Sequence, residues 1–242
     1  MVDSFLQEFG IGLCLEYCQT DLTQVLAQKD DPKEEDWIRR VMWSILRALE
    51  QCHSVGITHR DVCPNNVLVK KCNTLCLADF GICCRARWEQ TGKSDGALQE
   101  KLTPGMGTRW YMAPEILFGS TNYTEAIDIW SSGCILAELL AGRPLFPGNS
   151  DLDQICKIIE VLGTPNPIDW PGLEELPDWG KLEFKPKESK DLRKYLGVKC
   201  SDQAFELLEF MLQYNPSSRT SAKDALQNSW FQGICEPCIV DI

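Results

Sequence analysis

"HRDVCPNN", residues 59–66, decides how this chain is read. His59, Arg60 and Asp61 run into the turn-prone Pro64 and then Asn65 and Asn66, an order of polar groups that a merely solvated loop has no need of. Short apolar runs at 67–69 and 75–77 follow, joined by "KKCNT", and this pattern predicts a hairpin. Asp61 and Asn66 precede the hairpin and Asp79 follows it, so two short antiparallel strands bring an acid, an amide and a second acid to one end of a sheet. Such a set suits a magnesium phosphate: hard oxygens hold the metal while a separate carboxylate accepts a proton from an attacking hydroxyl.

Working outward, "IGLCLEY" at 11–17 reads as a buried strand, and a short helix opens at Asp21 with Leu22, Val25 and Leu26 at helical spacing. After Pro32, the residues Trp37, Ile38, Val41, Met42, Ile45, Leu46 and Leu49 recur every three or four positions, and Gly56 marks the end of a long helix. Past residue 113 the periodicity is helical almost throughout, over 125–141, 151–162, 201–212 and 221–229, with a Pro- and Gly-rich excursion at 163–200. His53, near the end of the long helix, reads as a surface or helix-terminal residue.

Composition narrows the function classes. The chain has 242 residues, 44% of them hydrophobic and 24% charged, enough for one large domain or two small ones. A net charge of −11 argues against broad binding to nucleic acid or anionic lipid. The acidic N-terminus "MVDSFLQEFG" lacks the basic start of an export signal, and no apolar run approaches the roughly 18 residues of a membrane helix. The expectation is an intracellular protein of nucleus or cytoplasm, with no nucleic-acid or membrane partner. Its 13 cysteines are therefore read as free thiols. Cys72 with Cys76 and Cys235 with Cys238 could supply four zinc thiolates, but the pairs lie far apart and the first is oddly spaced.

"HRDVCPNN", then "ADFG" at 78–81 and "APE" at 113–115, resemble the catalytic core of a eukaryotic Ser/Thr protein kinase, in order and at the right spacing. "DIWSSGC" at 128–134 and Arg219 agree with that likeness. "GTRWYMAPEILFGSTNY", "LLAGRPLFPGNSDLDQICKIIEVLGTPNP" and "WPGLEELPDW" are similar to the cyclin-dependent kinase branch, in particular to its cell-cycle-related and kinase-activating members. The resemblance implies an α+β, protein-kinase-like fold, mainly the helical C-terminal lobe with the hinge and the last small-lobe strands. In domain terms it implies a kinase domain over 1–232, with 1–18 as residual small-lobe strands and hinge, 19–232 as the large lobe, and 233–242 as a tail. The excursion at 163–200 then corresponds to the insert of this wider group.

The same resemblance assigns roles. Asp61 is the catalytic base, and Asn66 and Asp79 are Mg²⁺ ligands. Leu15 takes the gatekeeper position, Glu16 and Cys18 meet adenine through the hinge backbone, Asp21 meets the ribose, and Leu68 and Ala78 line the adenine pocket. His59 and Phe80 belong to an internal hydrophobic spine, Asp128 steadies the catalytic loop, and Arg219 pairs with Glu115. Thr103 matches the activating threonine of the branch, with Arg60 as one partner of its phosphate. ATP and Mg²⁺ are the implied cofactors, a protein is the implied substrate, and a cyclin or other activating protein is the implied partner.

Departures from the family pattern qualify this. Cys63 stands where the family usually places a Lys that stabilises the transferring phosphate. Met112 replaces the Arg before "APE", which unsettles any preference for a proline after the target residue, and Cys84 replaces a second phosphate-binding Arg, with Arg85 and Arg87 nearby to compensate. With the hinge already at residue 16, the expectation is a chain without the glycine-rich loop, the ATP-binding Lys and the helix through which relatives bind a cyclin, and "GIG" at 10–12 is no substitute. Two readings follow: a Ser/Thr kinase acting in cell-cycle control, with the small lobe largely truncated, or a catalytically impaired kinase-like scaffold that binds protein partners. The strand at 11–15 is expected to leave an apolar edge.

Overall fold

The structure is a computed structural model that describes residues 3–7, 10–28, 34–71, 74–85 and 107–234. Its first two strands, β1 (Asp3–Gln7) and β2 (Gly10–Cys14), form a separate antiparallel pair in which Phe5 faces Gly12. The strand expected over 11–17 thus ends at Cys14, because Leu15, Glu16 and Tyr17 have no ladder partner and turn outward to solvent. β1 occupies one edge of β2, so the expected open edge is half covered; Phe5, Leu6 and Leu13 nevertheless stay exposed.

β3 (Thr20–Asp21) leads directly into α1 (Leu22–Ala27), where Asp21 caps the helix by accepting a hydrogen bond from Gln24 N at 2.9 Å. α2 (Glu35–Ser54) buries the stripe Ile38, Val41, Met42, Ile45, Leu46 and Leu49 that its spacing predicts, and Glu35 and Asp36 in its first turn complement the helix dipole. Gly56, at φ 72°, ends it. β4 (Ile57–Thr58) precedes the polar loop, a single 3₁₀ turn spans Pro64–Asn66, and β5 (Val67–Val69) and β6 (Leu75–Leu77) make the expected hairpin. β7 (Cys84–Arg85) pairs back on β4. The hairpin is larger than expected, for β3 adds to β5 and gives a three-stranded sheet in the order β3-β5-β6. Two-residue strands carry too little periodicity to be read from sequence.

The helical remainder comprises α3 (Pro114–Leu117), α4 (Ala126–Ala141), α5 (Asp151–Leu162), α6 (Leu192–Leu196), α7 (Asp202–Met211) and α8 (Ala222–Ala225). α4 is buried on nearly every side, including Asp128, Ser131 and Ser132, and forms the axis of the core. α7 crosses it so closely that a Cβ at Gly133 would lie 2.9 Å from Met211 Cβ and Leu212 Cδ2. The helix expected over 221–229 stops at Ala225, because Asn228 turns its side chain onto Trp230 N at 2.8 Å and starts a separate 3₁₀ turn.

The excursion at 163–200 is ordered by aromatic packing. Trp170, Trp179 and Phe184 gather around the buried Phe118, with ring centroids 5.3–6.3 Å from it. Backbone bonds from Asp178 N to Phe118 O (3.0 Å) and from Lys190 N to Val161 O (2.9 Å) tie both ends down, and α6 forms within the stretch.

Candidate active site

The loop between β4 and β5 is held from below by α4. Asp128, 1% exposed, accepts hydrogen bonds from His59 N at 2.8 Å and Arg60 N at 2.9 Å. His53 Nε2 lies 2.8 Å from the same carboxylate. His53 is helix-terminal, in the last turn of α2, but its side chain is turned inward rather than lying on the surface as was the alternative expectation. Arg60 sits at φ 71°, a left-handed conformation that a long side chain adopts only when its surroundings impose it. The carboxylate beneath its amide supplies that constraint.

His59 connects the loop to the strand ends. Its Nε2 lies 2.9 Å from Ala78 O and its Nδ1 accepts from Asp61 N at 3.3 Å, so the carbonyl assigns the ring proton to Nε2. Phe80 meets the His59 ring edge-on, with centroids 4.8 Å apart. The expected pairing is present, yet Phe80 is 42% exposed and so is not part of an enclosed spine among the described residues.

Asp61 is oriented on both sides. Its Oδ1 accepts from Thr108 N at 2.7 Å and Thr108 Oγ1 at 2.8 Å, and its Oδ2 accepts from Asn66 Nδ2 at 2.9 Å. Asn66 Nδ2 also donates to Asp61 O at 2.8 Å, which commits the amide nitrogen inward and leaves Oδ1 for a ligand. Thr108 has no expected role, and its signal is positional: it lies in "GTRW", ahead of "APE". Gly107 brings it in, at φ 109°, because a Cβ there would stand 2.6 Å from Arg60 O.

Asp79 lies across the hairpin end from Asn66, whose carbonyl accepts from Ala78 N at 2.8 Å. Asp79 adopts φ 63° and accepts from Gly81 N at 3.1 Å. The structure therefore brings Asp61, Asn66 and Asp79 to one end of the sheet. Among the described residues no cluster of three or more His, Cys, Asp or Glu could hold a metal. An amide oxygen and a carboxylate are the hard oxygen donors that Mg²⁺ prefers, with water and phosphate oxygens as its usual further ligands.

Cys63 is 2% exposed, with its Sγ 3.5 Å from Thr108 Oγ1. Burial pushes its thiol above the ordinary range and the Thr108 contact opposes this. Cysteine therefore contributes packing here and no positive charge. Arg60 spends its guanidinium on Ile82 O and Cys83 O (3.5 Å) in the loop after β6 and on Tyr123 OH at 2.9 Å, ahead of α4. Thr103, Arg87, Cys72, Cys235 and Cys238 lie outside the described residues.

The hinge residues are only partly gathered. Leu15 is 64% exposed, Glu16 pairs with Lys70 Nζ at 2.8 Å, and Cys18 is half-buried. Leu68 and Ala78 are half-buried along the sheet below. Asp21 is occupied by the Gln24 cap. The Glu16 bond raises the Lys70 pKa. Farther off, Arg219 meets Glu115 in a buried bidentate pair at 2.6 and 2.7 Å, and its remaining donors reach the carbonyls of Gln213, Tyr214 and Ala126. Every guanidinium hydrogen is thus used, which is what a buried Arg requires.

Comparison with known proteins matches the protein kinase domain to residues 1–231, and the chain belongs to the protein kinase family. It is similar to human cyclin-dependent kinase 20, with 38% identity over 222 residues, covering 92% of this chain and 62% of that protein. Cyclin-dependent kinase D-1 of Arabidopsis thaliana is 37% identical over 237 residues, covering 98% of this chain and 56% of the relative. In structure the chain resembles a chain of the yeast RNA Pol II CTD kinase CTDK-1 complex, at a TM-score of 0.85 and 27% identity, over 99% of this chain and 77% of that one. The chain thus spans about three-fifths of the length of these curated relatives.

Proposed function

We propose that this site transfers the terminal phosphoryl group of ATP to serine or threonine hydroxyls of protein substrates. The observation that carries the reading is the Asp61 carboxylate, fixed by Thr108 N, Thr108 Oγ1 and Asn66 Nδ2, beside the outward amide oxygen of Asn66. Three donors leave one lone-pair position on the carboxylate, and an incoming hydroxyl occupies it. Asp61 there orients the nucleophile and takes its proton. Asn66 and Asp79 would hold Mg²⁺, which when bound neutralises charge on the phosphates. Leu68 and Ala78 would meet the adenine, with the backbone of Glu16 and Cys18 at its edge and Asp21 near the ribose. An open cleft of about 510 Å³ lined by Thr23, Asn65, Thr108, Trp110, Tyr111 and Glu138 shares Thr108 with Asp61 and is where a peptide substrate would lie.

The similarity to cyclin-dependent kinases supports a cyclin or another activating protein as the partner class to test; cell-cycle control as the setting and nucleus or cytoplasm as the location belong to the same proposal. Among the described residues no helix precedes the hinge to receive such a partner, and none is long and apolar enough to cross a membrane. A second reading, a kinase-like scaffold with impaired catalysis, is favoured by the buried, uncharged Cys63.

The deciding experiment is long-incubation phosphate incorporation into Ser/Thr peptides with ATP and Mg²⁺, against Asp61→Asn as the blank. Incorporation that disappears in the blank is expected. Equal signals from both proteins would overturn transfer and leave the scaffold.

A further inference from the structure

Two half-buried thiols meet beneath the hinge. Cys18 follows the hinge backbone and Cys76 lies in the middle of β6, and their Sγ atoms are 3.8 Å apart although 58 residues separate them. A disulfide needs about 2.05 Å, so closure asks each sulfur to move by roughly 0.9 Å. The two sulfurs share one charged neighbour. Lys70 carries its ammonium beside both sulfurs, where its charge partly opposes the burial that raises the Cys76 thiol, and Glu16, two residues before Cys18, anchors that Lys at 2.8 Å. Neither thiol takes part in the proposed transfer chemistry, where position 18 is used through its backbone.

We propose that Cys18 and Cys76 form a redox modification site, a dithiol that hydroperoxides oxidise to a disulfide pinning the hinge to the β5–β6 hairpin. The Cys18 thiolate attacks one peroxide oxygen; the O–O bond breaks, a sulfenic acid forms, and the other oxygen leaves as water or alcohol. Cys76 Sγ then attacks the Cys18 sulfur, the S–S bond forms, and the sulfenic oxygen departs as water with the Cys76 proton. Two thiols lose two electrons, and one peroxide is reduced. The order of attack follows from burial and the neighbouring Cys18 thiol, which push Cys76 up to about 11 and make it the resolving partner. The clip links the hinge to β6, on the far side of the middle strand β5, which pairs on one side with β3 and on the other with β6. Its bearing on nucleotide rests on the proposed adenine contact at the hinge; the clip itself does not.

The test treats the chain with stoichiometric hydrogen peroxide, alkylates the remaining thiols and maps disulfides by mass spectrometry. The expected product is an intramolecular Cys18–Cys76 linkage, about 2 Da lighter than the reduced chain and reversed by dithiothreitol. In Cys76→Ser the linkage is absent and Cys18 accumulates as a sulfenic acid that dimedone traps. Amide exchange over residues 16–21 should slow by about tenfold in the oxidised protein. Linkage mainly through the exposed Cys14, intermolecular dimers as the main product, or a Cys76→Ser pattern identical to the parent would each overturn the site. Unchanged exchange after linkage would overturn the pinning. None of these readouts needs bound nucleotide, so their failure is separable from failure of the phosphoryl-transfer reading.

Discussion

At the scale of single residues, the site is governed by which oxygens are already engaged. Asn66 gives its nitrogen to Asp61 and so presents oxygen outward, while Asp79 holds its carboxylate against Gly81 N. In a form that phosphorylates protein, Asp79→Asn should abolish Mg²⁺-dependent transfer, since an amide lacks the charge that holds the metal against phosphates. Full phosphate incorporation by that variant would remove Asp79 from the site. Cys63 makes the opposite case, a residue whose chemistry is deficient. Its Sγ is 3.5 Å from Thr108 Oγ1, which lies 2.8 Å from Asp61 Oδ1, so a longer basic side chain from position 63 can extend toward the Asp61 carboxylate. Cys63→Lys should therefore raise kcat by about tenfold, the order of one electrostatic contact to developing charge. A kcat at or below the parent value would show that the buried position cannot project its ammonium.

At the scale of elements, α4 does two jobs. Through Asp128 it fixes the catalytic loop, accepting the amides of His59 and Arg60 while His53 closes the carboxylate from α2. Asp128→Asn would set an amide hydrogen against one of these donors. The cost is about 2 kcal/mol for a buried group left unsatisfied, or a fall in Tm of about 4–8 °C. The loss of Arg60's imposed φ should lower kcat as well, so a variant with parental Tm and kcat would refute the anchoring role. On its opposite side α4 accepts α7 at Gly133. Gly133→Ala places a methyl 2.9 Å from Met211 Cβ, an atom with no rotamer to escape through. Overpacking of about 1–3 kcal/mol should exceed the ~1 kcal/mol gained in helix propensity. Chemical denaturation that shows Gly133→Ala to be the more stable protein would mean that the two helices separate freely.

At the scale of the whole molecule, the large helical region is well packed and the hinge side is thinly built. The core runs through α2, α4, α5 and α7, whereas the β1–β2 pair forms a sheet of its own with Phe5, Leu6 and Leu13 exposed. Phosphoryl transfer depends on holding the phosphates in line and neutralising them, and on the hinge side Lys70 is engaged by Glu16 at 2.8 Å. A protein of these 242 residues should consequently bind ATP weakly and turn over far below the roughly 1–100 s⁻¹ usual for kinases. It should also self-associate through the apolar β1–β2 surface. Steady-state kinetics with light scattering checks both; rapid turnover by a monodisperse monomer would refute the expectation.

What the sequence determined by itself are the features set by local spacing. The stripe of α2, the limits of α5, and the order of "HRD", "ADFG" and "APE" are carried by neighbouring residues, because helical period and motif order do not depend on distant contacts. Asp128 and Arg219 were legible as well, through their motif positions and not through any local pattern. Tertiary structure alone decided the inward turn of His53, the place of Thr108 on Asp61, the pairing of β3 with β5 and the meeting of Cys18 with Cys76. Each of these joins residues that lie tens of positions apart. A single side chain carries no periodicity, so its partner is chosen only when packing closes the chain around it.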